Sequence, residues 1–133
     1  MRRMILLVPM LCLLLGANCL PEQQTTVTLR NNTNFPVDVE LYYHHQQEVP
    51  EFLIDETGTR MTFSIPAGGT ESMGRPCEDL QAIYIKDAKM RLLGGIGPTA
   101  STRIYREPGD FGCGNTLTFT FTQNAIGTSL DIS

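Results

Sequence analysis

VDVELYYH, residues 37–44, is the stretch whose reading decides the fold. Val37, Val39, Leu41 and Tyr43 alternate with Asp38, Glu40, Tyr42 and His44, the longest alternation in the chain. Successive side chains of a β-strand point to opposite faces, so this pattern predicts a half-buried strand with one apolar side. The residues before it, NNTNFP (31–36), carry the Asn and Pro of a turn. Before that turn Val27 and Leu29 alternate with Thr26, Thr28 and Arg30, which predicts a second strand.

On the other side of residues 37–44 lies a polar loop, His45 to Pro50, then an apolar Phe52–Ile54 and a turn at Glu56–Gly58. Met61, Phe63 and Ile65 alternate with Thr62 and Ser64, a strand that Pro66 and Gly68-Gly69 should end. Leu80, Ala82 and Tyr84 share one parity and Ile83 and Ile85 the other, so residues 80–86 read as a central strand covered on both faces. Asp79 to Ala88 is also the one stretch that could be read as a short helix. A weaker segment at Lys89–Leu93 precedes the breaker-rich GGIGPTAS, and short strands are expected at Thr102–Arg106 and Asn115–Thr122. In TLTFTFT, Thr116, Thr118, Thr120 and Thr122 face one way and Leu117, Phe119 and Phe121 the other, a solvated threonine row over an apolar face.

Seven or eight short strands without a long helix point to an antiparallel β-sandwich, immunoglobulin-like in arrangement, with a partly open barrel as the alternative. Val27 to Asp87 resembles the von Hippel-Lindau β domain. The likeness lies in an early strand ending in Asn31-x-Thr33, the Pro36-Val37 strand and the run Pro66-Ala67-Gly68. It lacks that family's tryptophans and its helical partner domain, so the resemblance implies a fold style and no function.

The N-terminus has a separate logic. Arg2 and Arg3, the apolar run from Ile5 to Leu15, and small residues at Gly16 and Ala17 have the layout of an export signal. The run is shorter than the roughly 20 residues a membrane-spanning helix needs. LLLGANC (13–19) resembles a bacterial lipoprotein signal, in which the cysteine is lipidated and becomes the new N-terminus. Asn18 departs from the Gly, Ala or Ser usual before that cysteine, and cleavage after Ala17 is the competing reading. The resemblance implies a signal at residues 1–18 and a polar tether at 19–25; the period-two pattern from Thr26 and the remaining length point to a single domain at 26–133.

Four cysteines frame the rest: Cys12, Cys19, Cys77 and Cys113. Cys12 would leave with the signal. In an oxidising compartment Cys77 and Cys113 form the natural disulfide, and lipid on Cys19 explains the odd thiol. The competing reading makes one of the pair a nucleophile with Asp110 nearby.

Without its first 18 residues the chain has about 115, enough for one core. Loss of Arg2 and Arg3 takes the formal charge from −4 to −6. An acidic chain with no Lys/Arg cluster is not built to neutralise a phosphate backbone, so nucleic acid is not an expected partner. Membrane contact should come from the lipid and not from the protein surface. A protein partner is left open.

No motif supports catalysis. Asp110-Phe111-Gly112 lacks the rest of a kinase, and Gly94, Gly95 and Gly97 lack the Gly-Lys-Ser/Thr ending of a phosphate loop. Asn31-Asn32-Thr33 is a glycosylation sequon in a eukaryotic secretory pathway and otherwise a turn. His44 and His45, with Glu48 and Glu51, suggest a metal site, but adjacent strand residues should point apart, so no metal or other cofactor is expected. The expected function is a non-catalytic extracytoplasmic binding or structural module held at the envelope by Cys19. The alternatives are a metal-binding domain or a small hydrolase assembled from distant residues.

Overall fold

The computed structural model describes residues 23–133. The signal-like stretch, Cys12, Cys19 and the first part of the polar tether lie outside the described residues. Nine strands in two sheets and one short helix make up the rest: β1 (Gln24–Asn31), β2 (Val37–His44), α1 (Glu51–Thr57), β3 (Thr59–Ile65), β4 (Thr70–Pro76), β5 (Ala82–Met90), β6 (Thr99–Ala100), β7 (Tyr105–Arg106), β8 (Thr116–Gln123) and β9 (Leu130–Ile132). One sheet has the order β4-β1-β8-β9, the other β3-β2-β5-β6 with β7 also on β5, and neither closes into a barrel. Every pairing is antiparallel except that of β1 with β8, which is parallel.

The core between the sheets is the predicted apolar parity. Val27 and Leu29 of β1, Val37, Val39, Leu41 and Tyr43 of β2, Ile65 of β3, and Phe119 and Phe121 of β8 pack in one buried cluster. Burying a side chain of this size from water stabilises the fold by about 1.5–3 kcal/mol, so the alternation of β2 alone commits its register.

Several boundaries differ from the expectation, each for a local reason. β1 begins at Gln24, so Gln24 and Thr25 belong to the sheet and the polar stretch outside it ends at Gln23. β5 is one strand from Ala82 to Met90 where a strand and a weaker segment were expected. Its pairing with β2 shifts between Glu40 and Leu41, so Lys86 is an extra residue and the inward set becomes Ile83, Ile85, Ala88 and Met90. A bulge of this kind breaks period two. It also leaves Leu80, Ile83, Tyr84 and Ala88 at spacings that mimic a helix. β4 was not expected, because Met73 is its one buried residue and its sequence, TESMGRP, reads as turn. β9 is three residues long.

α1 was not foreseen either, since seven residues are too few to display a period. Pro50 precedes it with φ −59°, and Glu51 puts an acid in its first turn. Its buried Ile54 meets Tyr42, Val49, Ala82 and Tyr84 in a second apolar cluster on the outer face of the five-stranded sheet. Gly58 ends the helix, its N–H donating to the Ile54 carbonyl at 2.9 Å. A side chain there would sit 2.5 Å from the Ile54 oxygen and 2.8 Å from the Tyr43 oxygen, so only glycine admits this approach of helix to β2.

Candidate functional site

Three places hold concentrated chemistry. The first is where the chain enters the sandwich. Cys77, just past β4, and Cys113, just before β8, are joined by a disulfide with a Cα–Cα distance of 5.4 Å. It clasps two crossovers between the sheets, β4 to β5 and β7 to β8. Gln23 is stitched to it: the Cys77 N–H donates to the Gln23 carbonyl at 3.2 Å, and the Thr25 hydroxyl lies 3.6 Å from Cys77 Sγ. Asp110 takes no part as a base. Its Oδ1 accepts from Arg103 at 2.8 Å and its Oδ2 from the Arg106 N–H at 2.8 Å, and these bonds, Arg103 first, hold its carboxyl below the ordinary range. With both sulfurs bonded to each other and the carboxylate occupied, the nucleophile reading is set aside.

The second place is the end of β2. His44 and His45 do not diverge as the strand rule required: their rings stack at 4.5 Å with planes 16° apart. β2 ends at His44, and His45 lies in the bend beyond it, where the alternation no longer applies. Both His44 nitrogens are engaged. The Gln46 N–H donates to Nδ1 at 3.0 Å, which fixes the neutral tautomer with its proton on Nε2. Nε2–H then donates to the Thr57 hydroxyl at 3.0 Å, and that hydroxyl to the Leu53 carbonyl at 2.8 Å. The buried imidazole thus ties the last turn of α1 to β2. Tyr43, Thr57, Gly58, Thr59 and Asp79 line the recess around the pair. Among the described residues no group of three His, Cys, Asp or Glu side chains is placed to hold a metal ion.

Burial, and then the neighbouring His45, lowers the pKa of His44 below its ordinary 6.5. A base whose folded pKa is depressed contributes its full stability above the unfolded value of about 6.5 and loses it as pH falls toward the folded one. Unfolding free energy should therefore decline below that value in the wild type, and less steeply in His44→Gln. Urea titrations across this window check it. Equal slopes in the two proteins would show that the imidazole does not carry the linkage.

The third place is the outer face of β3-β2-β5. Asp38, Glu40, Thr62, Ser64, Asp87 and Lys89 line an open depression of about 350 Å³. Two of its three carboxylates, Asp38 and Glu40, are engaged by neighbours. Arg60 bonds Glu40 at 3.2 Å, Tyr42 donates to Glu40 at 2.8 Å, and Arg91 pairs with Asp38 at 3.0 Å. The Arg60 hydrogen bond, and after it that of Tyr42, holds the Glu40 carboxyl below the ordinary range. Beside the depression Asp55 of α1 accepts from Tyr84 and pairs with Lys86 at 2.6 Å. These are exposed pairs in water, a charge ladder that orders side chains and adds little stability.

Sequence reasoning named Asn31 as a turn or sequon residue and missed its buried role. It is fully buried, and its Nδ2 donates to the carbonyls of Phe35, Ile65 and Pro66 at 2.8, 3.1 and 3.1 Å. Its Oδ1 accepts from the Thr33 N–H at 2.9 Å and lies 2.7 Å from the Thr33 hydroxyl. An amide so enclosed has no room for a glycan, so the sequon is a bracket between loops.

No family model and no curated protein matches the chain. Among solved structures, the NMR structure of a protein from Eubacterium rectale superposes with a TM-score of 0.50 and 10% identity, over 83% of this chain and 88% of that one. The T6SS lipoprotein TssJ1 from Pseudomonas aeruginosa superposes with a TM-score of 0.44 and 14% identity, over 85% of this chain and 96% of that one. The likeness to the Eubacterium rectale protein is one of fold.

Proposed function

We propose that this chain is a non-catalytic module displayed outside the cytoplasm and anchored to a membrane through lipid on Cys19. The observation that supports the reading is the Cys77–Cys113 bond. It takes up both cysteines of the described residues and suits an oxidising compartment, so that by count Cys19 is the odd cysteine after the apolar run. Gln23 is tied to Cys77 at the disulfide end, so a lipid on Cys19 would hold that end within four residues of the membrane. Two acyl chains, at about 0.8 kcal/mol per buried methylene, suffice for stable anchoring where one does not.

Expressed in a bacterium with residues 1–18 intact, the wild type is expected to enter the detergent phase and take up labelled fatty acid, while Cys19→Ala is released as soluble protein. A mature N-terminus at Asn18, or beyond Cys19, would replace the anchored module with a freely exported one.

A further inference from the structure

The two ends of the sandwich differ sharply. The register places the end of β1, the start of β2, the end of β3, the start of β4 and the ends of β5 and β8 together, with Val37 opposite both Ile65 and Met90 and Arg30 opposite Thr70. The start of β9 joins them, with Leu130 opposite Gln123. The loops that meet there, residues 31–36, 66–69, 91–98 and 124–129, carry one charged residue, Arg91, which pairs with Asp38 at 3.0 Å. The opposite end, where Gln23 enters, carries Glu48, Glu51, Glu56, Glu78, Asp79 and Glu107.

Three large aliphatic side chains stand out from this end: Leu93 at 98% exposure, Ile96 at 83% and Ile126 at 78%. Their loops are braced. The Gly95 N–H closes a turn on the Leu92 carbonyl at 3.0 Å, with Gly94 and Gly95 at φ +98° and +82°, a region L side chains avoid. The Gly127 N–H closes another on the Asn124 carbonyl at 3.1 Å, and Asn124 Oδ1 accepts from the Thr128 N–H at 2.8 Å. The strands that follow these loops, β6 and β9, approach each other, and both loops leave the same end of the sandwich.

We propose that Leu93, Ile96 and Ile126 form a docking surface for a second protein that presents an uncharged apolar groove. Depletion of charge around apolar anchors is the composition that marks the centre of a protein interface. The other occupants fit less well. A bilayer surface is bound by clustered Lys/Arg or by Trp and Tyr at the headgroups, and these loops have none of them. Geometry adds a second argument, which rests on the Cys19 anchor proposed above. Four residues span at most about 14 Å, and eight-residue strands about 26 Å, so an upright domain holds its tips away from the membrane that anchors it. A second copy docked tip to tip would put the two anchors at opposite ends of the pair, where one membrane cannot hold both.

The test places the photo-crosslinking residue p-benzoylphenylalanine at position 93, 96 or 126, and at Thr62 on the outer sheet face as control, in the full chain exported by the cells that make it. The expected result is one cross-linked protein common to the three loop positions and absent from position 62, identified by mass spectrometry. Purified, it should bind the exported Cys19→Ala chain, and Leu93→Ser/Ile96→Ser/Ile126→Ser should raise the Kd at least about 30-fold with an unchanged melting midpoint. Cross-links to lipid, to a second copy, to many proteins or to none would overturn the docking surface, as would equal binding by the triple variant. Fractionation of the same cells reads the anchor separately. A soluble wild type with intact loop cross-links would sink the anchor and spare the surface.

Discussion

Loss of the Cys77–Cys113 bond is expected to lower the unfolding free energy by about 4 kcal/mol, since the bond closes a loop of sequence separation 36. Against the 5–15 kcal/mol that holds a small domain together, this is a large share. The topology says where the loss would be felt. The loop it closes contains β5, β6 and β7, which lie in one sheet, while the strands flanking it, β4 and β8, lie in the other on either side of β1. Breaking the clasp frees both crossovers at once and leaves the edge strand β4, with one buried side chain, paired with β1 alone and tied to the other sheet by the Arg75–Tyr43 hydrogen bond. Urea unfolding of oxidised wild type, of the same protein reduced and alkylated, and of Cys77→Ala/Cys113→Ala checks the value. The two bond-free forms should agree within about 1 kcal/mol, because the effect belongs to the cross-link and not to either sulfur. Thiols at both positions that alkylate without reduction in exported protein would sink the assignment of the compartment as well as the stability.

What the chain discloses before folding depends on whether a residue's environment is set locally. β2 and β8 are legible because one face of each is buried along its length, and burial writes itself as period two. The cysteine pair is legible by arithmetic. β5 is legible as a central strand only as far as Lys86, because that extra residue moves the inward parity from Ile83 and Ile85 to Ala88 and Met90. The histidine pair misleads for a related reason: a rule for residues inside a strand was applied across its last residue, and His45 is already in the bend. The docking surface is not legible, since Leu93, Ile96 and Ile126 come to one end of the sandwich only through the register of the strands that flank their loops. Exposure itself has no sequence signature. Leu92 packs on the core while Leu93 stands in water.

Asn31 is the residue whose role lay furthest from its sequence signal, and its replacement is the second large effect. Asn31→Ala is expected to destabilise the domain by roughly 2–4 kcal/mol, because it leaves the carbonyls of Phe35, Ile65 and Pro66 and the N–H of Thr33 without the amide that joins them. Those groups come from the crossover of β1 to β2 and from the turn between β3 and β4, so the loss loosens both links between the sheets at the end away from the disulfide. Asn31→Asp should be worse at neutral pH, although it is nearly isosteric. It keeps the acceptor for Thr33 but turns an oxygen toward three carbonyl oxygens, and buries a charge with no cation beside it. That carboxyl's folded pKa would be raised above the usual 3.9 or so, so the deficit should shrink as pH falls and the acid regains a proton to donate. Thr33→Val, which removes one hydroxyl from the same bracket, should cost about 1 kcal/mol. Urea unfolding of the three variants at neutral and acid pH separates these outcomes. An Asn31→Asp protein as stable as wild type at neutral pH would mean that the amide nitrogen does not hold the three carbonyls, and the bracket would reduce to the Thr33 turn.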